Sequence, residues 1–437
     1  MARAIRNYFR FKELQTDYRR ETIGGLTTFI TMAYIIIVNP KILEAAGIPP
    51  GPSMVATILT AFFGTLTMGV YARRPFAIAP YMGENAFIAF TVVQVLGYSW
   101  QTALGAIFIG GVLFTIISAL RIRSWLANAI PESLKIAFAV GIGLFLTLAG
   151  LNDFGLVKAG VGGVPIAVGD LTGTTIILGV MCFLIIGLLM IWKVRGAILL
   201  GILFTTALAF IFRVADTPDR LFSMPPSLSP ILFQLDIGGA LTWGFAAVIL
   251  TVFVADFIDT TGTLVGMAYK SGLLDRDGNL PEIEKPMLCD SLSTIVGALL
   301  GTTTAGVYLE SAAGIEAGAR SGFASVVTAL LFLVALFLAP FFTAVPACAY
   351  GPALVIVGLL MLSPIARLDF EDLSESIPAF AVITMMAFTF NLAIGLTTGF
   401  LIYPLVKLLA GRARDVSLPM WLLGILAALF FVFYPYS

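Results

Sequence analysis

Long apolar runs separated by short polar breaks follow one another along the whole chain. Runs at 22–40, 53–70, 76–96, 101–120, 132–150, 172–192, 196–213, 239–267, 286–300, 301–319, 322–340, 346–363, 377–391 and 392–410 predict fourteen membrane crossings, since a helix needs about 20 apolar residues to traverse hydrocarbon. A further apolar stretch, 419–435, reads equally as a crossing that leaves the YPYS tail outside or as a segment laid against the bundle. The predicted fold class is an all-α polytopic membrane protein. Basic residues set its orientation. With a cytoplasmic N-terminus, 21 Lys and Arg fall on inside segments and 4 (Lys41, Lys158, Arg213 and Arg220) on outside ones.

Fourteen crossings divide into two sets of seven, and an odd number inverts the second set relative to the first. Weak internal similarity agrees. NAIPESL (Asn128–Leu134) follows the fourth run and TAVPACAYG (Thr343–Gly351) the eleventh, while GLTTFITMAYIIIVN lies over FAAVILTVFVADFID with Asn39 opposite Asp259. The expected organisation is an amphipathic N-terminus (1–21), a first seven-span repeat (22–213), an extracytoplasmic loop (214–238), a second, inverted repeat (239–410) and a hydrophobic tail (411–437).

Two runs are interrupted at membrane depth. PFAIAPYMGENAFIAF (Pro75–Phe90) carries Pro80 and Gly83 mid-run, where a continuous helix is disfavoured. GTTTAGVYLESAAGIEAGAR (Gly301–Arg320) opens on Gly, Thr and Val, poor helix material. Each predicts a short extended piece feeding a half-helix. Irregular backbone at this depth is tolerated where it is buried in protein or lines a cavity. The alternative is an ordinary packing kink.

Composition sharpens this picture. The chain is 59% hydrophobic and 11% charged, against roughly 25% charged in soluble domains. Residues 1–20 hold six basic groups and two acids, and lead into the first run without an apparent cleavable signal peptide. Net charge is zero, which argues against nucleic acid as a partner. There is no histidine, and Cys182, Cys289 and Cys348 lack metal-type spacing, so neither a metal nor a cofactor is expected and proton handling falls to carboxylates.

The acids at or near membrane depth are Glu84, Asp256, Asp259, Asp290, Glu310 and Glu316. Acids there are costly and usually mark a substrate or ion pathway. Asp256 and Asp259 share one helical face at i,i+3 spacing. Since the 25 Lys and Arg all fall on loops or run ends, no buried cation is evident. Each acid must then be protonated, hydrogen-bonded, or paired with something that comes and goes. A proton suits that role, and Na⁺ stays open. Blander readings exist for some residues. Asp290 reads as a cytoplasmic-boundary residue, Glu316 as a surface partner of Arg320 one turn on, and Glu21 as an acid suited to a helix start. Phe87 and Phe257 are core residues or stacking surfaces for a flat ligand, and Thr260 bonds within its helix or lines the site. Carboxylates and half-helix N–H groups together fit a flat, neutral heterocycle with donors and acceptors. An inorganic anion fits badly.

Four motifs carry a family resemblance. GGLTTFITMAYIIIVNP, PYMGENAFIAF, FVADFIDTTGTLVG and GVYLESAAGIEAGARSGF resemble the signatures of the azaguanine-type (adenine/guanine/hypoxanthine) purine permease branch of the nucleobase–ascorbate transporter superfamily, the nucleobase:cation symporter-2 family. The resemblance covers essentially the whole chain. It implies a uracil-permease-like seven-plus-seven fold with a core domain (22–120 plus 239–340) and a gate domain (132–213 plus 346–410). It further implies elevator-type alternating access and a homodimer in the cell membrane. The family's base-holding acids fall on Asp256 and Glu310, its second acid one turn on falls on Asp259, and its third-span asparagine on Asn85. Glu84 stands where other members carry an apolar residue. The reading is a secondary transporter of purine nucleobases coupled to protons through Asp259 or Glu310. The rivals are the same fold carrying uracil, xanthine or ascorbate, a sulfate-type anion exchanger, and an intramembrane enzyme.

Overall fold

A computed structural model describes residues 2–120, 130–160, 166–218, 220, 222–241, 246–271, 273 and 280–433. Arg121, Arg123, Asn128, Ala129, Phe245, Arg276 and residues 434–437, all used in the sequence reading, lie outside the described residues, as does the side chain of Lys270.

A short helix α1 (Ala2–Tyr8) precedes α2 (Tyr18–Met32), which starts at Asp17, whose side chain accepts from the Arg20 N–H, an N-cap that satisfies one orphan donor of the first turn. The first crossing then breaks at Ala33–Tyr34 and resumes as α3 (Ile35–Glu44). Helix α4 (Pro50–Thr67) widens at its end into a π-helical turn, Met68–Ala72. The first interrupted run becomes strand β1 (Ile78–Pro80) and helix α5 (Met82–Ala86), which continues with π-helical winding through Val95. Helices α6 (Trp100–Ala119) and α7 (Glu132–Asp153), the hairpin β2 (Val157–Ala159) and β3 (Ile166–Val168), α8 (Thr174–Ile191) and α9 (Ala197–Ile211) complete the first half.

The second half holds α10 (Ile237–Ala240), the 26-residue α11 (Ala246–Ser271) and α12 (Glu284–Leu300). The second interrupted run becomes strand β4 (Ala305–Val307) and helix α13 (Ser311–Glu316). Then follow α14 (Gly322–Ala335), α15 (Ala339–Thr343), α16 (Ala347–Leu362), α17 (Leu373–Thr389), α18 (Leu392–Leu409) and α19 (Leu418–Phe433). Among the described residues each predicted apolar run overlaps a helix or a strand leading into one. Among the described residues, eight helical stretches are long and apolar enough to cross a membrane, and three shorter apolar helices accompany them. The protein is a mostly helical, multi-pass membrane protein.

Packing sorts the helices into two groups. In one, α2 and α4 pack on α14, α12 packs on α4 and α6, and α11 packs on α6. In the other, α7 packs on α16 and α17, α16 on α8, and α18 on α17 and α19. Thinner contacts, α5 with α7 and α11 with α18, join them.

Charged residues fix the ends of these groups. Glu21 is buried and accepts from the Thr16 hydroxyl at 2.8 Å and from the backbone N–H groups of Arg320 (3.0 Å) and Ser321 (3.1 Å). It therefore ties the start of α2 to the start of α14, a larger role than a helix-start acid. Arg320 donates to the carbonyls of Ile315 and Ala319, and the surface pair expected with Glu316 does not form. Lys407, at the end of α18, is 1% exposed and pairs with Glu375 at 2.5 Å. Among the described residues Lys407 is thus an enclosed cation, and it is already partnered.

Candidate functional site

The two interrupted runs meet as an antiparallel pair, with Ile78 opposite Val307, Ala79 opposite Gly306 and Pro80 opposite Ala305. Two short strands inside a helical bundle need partners for their outer backbone groups, and side chains provide them. The Thr65 hydroxyl of α4 donates to the Ile78 carbonyl and accepts from its N–H, both at 2.9 Å. The Thr294 hydroxyl of α12 does the same for Ala305, both at 3.1 Å. Each half of the chain thus clamps the first residue of its strand with a threonine from the preceding helix. Two tyrosines then lock the crossing reciprocally. Tyr81 donates to the Val307 carbonyl at 3.3 Å, Tyr308 donates to the Pro80 carbonyl, and their rings stack at 6.1 Å. Gly306 has to be glycine because the Tyr81 ring occupies the place of a Cβ.

The acids gather around this crossing. Glu84, in the first turn of α5, accepts from Thr304 at 3.2 Å. Asp256 of α11 lies 3.2 Å from the Thr294 hydroxyl, whose one proton is shared between the strand carbonyl and the acid. Asp290 of α12 accepts from Thr260 at 2.6 Å. One oxygen on each of Glu84, Asp256 and Asp290 is enclosed without a hydrogen-bond partner, as is Asn85 Oδ1. Glu84 lies within electrostatic reach of Asp256 and Asp259, and Asp290 within reach of Glu84 and Asp259. Among the described residues no basic side chain pairs with these four acids.

Asp259 is half-buried and faces a recess between the two packing groups. Thr251, Ala255 and Ile258 of α11 line it on one side, and Phe138, Ile142, Met386, Leu392 and Leu396 on the other. Glu310 caps α13 and accepts from the Tyr34 hydroxyl at 2.5 Å. Tyr308 is within electrostatic reach of both Glu310 and Glu84. Asn85 donates to Asn39 Oδ1, and Asn39 donates to Thr57 (2.7 Å) and Thr302 (3.1 Å).

The expected site residues therefore fall into three sets. Glu84, Asp256, Asp259, Asn85 and Thr260 surround the strand crossing, Thr260 as a donor to Asp290. Glu310 stands apart from them, held by Tyr34. Phe87 and Phe257 are each 1% exposed, and the Phe257 ring packs edge-on against Phe114 at 5.7 Å, so both are enclosed core residues here. Asp290, read from sequence as a boundary residue, is wholly buried and belongs to the acid group. The tyrosines Tyr34, Tyr81 and Tyr308 carry no signal in a composition this apolar.

Sequence comparison shows the family to which the chain belongs. Residues 19–433 match the model of the permease family. The chain belongs to that family. This permease is 39% identical to the adenine permease AdeQ of Escherichia coli (strain K12) over 421 residues, 96% of this chain and 94% of that one. It is also 39% identical to the guanine/hypoxanthine permease PbuG of Bacillus subtilis (strain 168), over 98% of this chain and 100% of that one. The transmembrane domain of the cyanobacterial bicarbonate transporter BicA superposes with a TM-score of 0.64 at 16% identity, covering 87% of this chain and 97% of that one. That likeness concerns the fold. The permease carries out transport and is not an enzyme.

Proposed function

We propose that this permease is a secondary transporter that imports purine nucleobases with protons by elevator-type alternating access. The observation that carries the reading is the acid group at the strand crossing, short of hydrogen-bond partners and, among the described residues, without a paired cation. A neutral purine offers N–H donors to carboxylates and ring nitrogens to backbone N–H groups, so it satisfies such a site without adding charge. An inorganic anion would meet only repulsion there. The likeness to an adenine permease and to a guanine/hypoxanthine permease at equal identity supports the purine class and leaves the preferred purine open.

In this reading Asp256 and Glu310 hold the base and Asn85 completes the hydrogen bonding. Asp259, on the recess wall, is the acid that an incoming base meets first, and it assists binding or carries the coupling proton. Asp290 joins the site through Thr260. The two packing groups act as core and gate, and the recess between them is the path of the base. The matched threonine clamps and the reciprocal tyrosines support an inverted seven-plus-seven repeat with fourteen crossings. The 21-to-4 distribution of basic residues supports a cytoplasmic N-terminus in the cell membrane, with a homodimer as the assembly. Asp256→Asn and Glu310→Gln should each abolish uptake of radiolabelled adenine, guanine and hypoxanthine while the protein still reaches the membrane. Normal uptake by both variants would end the assignment.

A further inference from the structure

Tyr34 lies in the break between α2 and α3 and is 1% exposed. Its hydroxyl donates to Glu310 Oε1 at 2.5 Å, across 276 positions of sequence. The break is itself tightly wound. The Ile36 N–H reaches the Ala33 carbonyl at 3.1 Å and the Ile37 N–H reaches the Tyr34 carbonyl at 3.0 Å, so the backbone that carries the phenol is fixed. A buried hydroxyl needs a partner, and Glu310 is the one this phenol has.

From the side of Glu310 the contact is equally selective. The residue is half-buried at the N-cap of a six-residue helix, and a carboxylate on such a cap can point in several directions. Among the described residues Tyr34 is the side chain that donates to it, and the donation engages one oxygen, Oε1. A buried hydrogen bond from a phenol on a fixed backbone restricts where the carboxyl can point, so this contact helps set the orientation of the acid.

We propose that Tyr34 is a positioning residue for base recognition: its hydroxyl holds one oxygen of Glu310 so that the other is presented in a fixed direction to an N–H of the purine. The proposal rests on the reading of Glu310 as a base contact. Tyr34→Phe keeps the ring and its packing and removes the donor alone, leaving Glu310 free to swing. Loss of a positioned contact to a charged group should appear in binding rather than in turnover.

Uptake of radiolabelled adenine and hypoxanthine into proteoliposomes tests this. For Tyr34→Phe the expected result is a KM raised about tenfold or more with Vmax within about twofold of wild type. Glu310→Gln, by contrast, should show no uptake. A wild-type KM in Tyr34→Phe beside lost uptake in Glu310→Gln overturns the positioning role and leaves the site reading standing. Normal uptake by Glu310→Gln removes the site reading itself. A Tyr34→Phe protein that loses Vmax and thermal stability at unchanged KM has lost only structure, which also overturns the proposal. Should that variant not accumulate, a fluorinated tyrosine at position 34, a more acidic donor of nearly the same shape, should change KM, and an unchanged KM is the contrary result.

Discussion

Thr294 holds the carbonyl and N–H of Ala305 and shares its one proton with Asp256, whereas Thr65 holds Ile78 in the same way with no acid attached. Substituting valine keeps the shape and removes the hydroxyl. Both Thr294→Val and Thr65→Val leave buried backbone groups unpaired, a cost of about 1–3 kcal/mol each, measurable as a lower melting temperature in detergent. Thr294→Val should in addition lower uptake well beyond Thr65→Val, because it strips Asp256 of its donor. Equal uptake in the two would separate the clamp from the site. A second pair tests burial away from the site. Lys407 is enclosed while the Glu375 side chain is 25% exposed and keeps donors from Ser133 and Tyr403. Glu375→Ala should therefore destabilise more than Lys407→Met, by roughly 1–3 kcal/mol, and the reverse order in thermal unfolding would contradict that account. Asp256, Asp259, Glu84 and Glu310 were legible in the sequence because a carboxylate in an apolar run stands out. Tyr34, Tyr81, Tyr308 and Thr294 were not, since aromatic and hydroxyl side chains are ordinary in such runs and theirs matter only through distant partners. Asp290 was misread as a boundary residue because it stands near the start of its run. Its place in the acid group comes from packing against α11, where Thr260 donates to it.

At the scale of elements, the interruptions at 75–90 and 301–320 were legible from proline, glycine and threonine. The break at Ala33–Tyr34 was not, because no Pro or Gly marks it and Ile35–Val38 reads as uninterrupted helix. The crossing of β1 and β4 was also beyond sequence reading, as the strands are three residues each and pair across more than two hundred positions. That crossing can be tested through Gly306. A methyl group there would drive into the Tyr81 ring, and overpacking of this kind costs about 1–3 kcal/mol. Gly306→Ala should thus lower both the melting temperature and uptake, and a concurrent Tyr81→Leu should recover part of the stability. No recovery would show that the ring is not what the methyl group meets.

At the scale of the whole molecule, the order of the apolar runs foretold the order of the helices, while a division into two groups was implied by the family resemblance alone, since apolarity does not say which helix packs on which. Movement of one group against the other has a direct test. Gly83 of α5 abuts Ile142 of α7 across the thin contact between them, and the native cysteines are all buried. A cross-link between Gly83→Cys and Ile142→Cys should stop uptake, and reduction should restore it; full uptake with the bond formed would exclude relative movement at that contact. The central claim, purine transport driven by protons through a cation-free acid site, is met most directly by purified protein in proteoliposomes. Uptake of radiolabelled adenine, guanine and hypoxanthine would be followed under an imposed pH gradient, with and without a sodium gradient. The account predicts accumulation of at least one purine when the outside is acidic, independent of sodium and abolished by dissipating the pH gradient. Accumulation that follows sodium alone, or transport of bicarbonate or sulfate in place of purines, would contradict it.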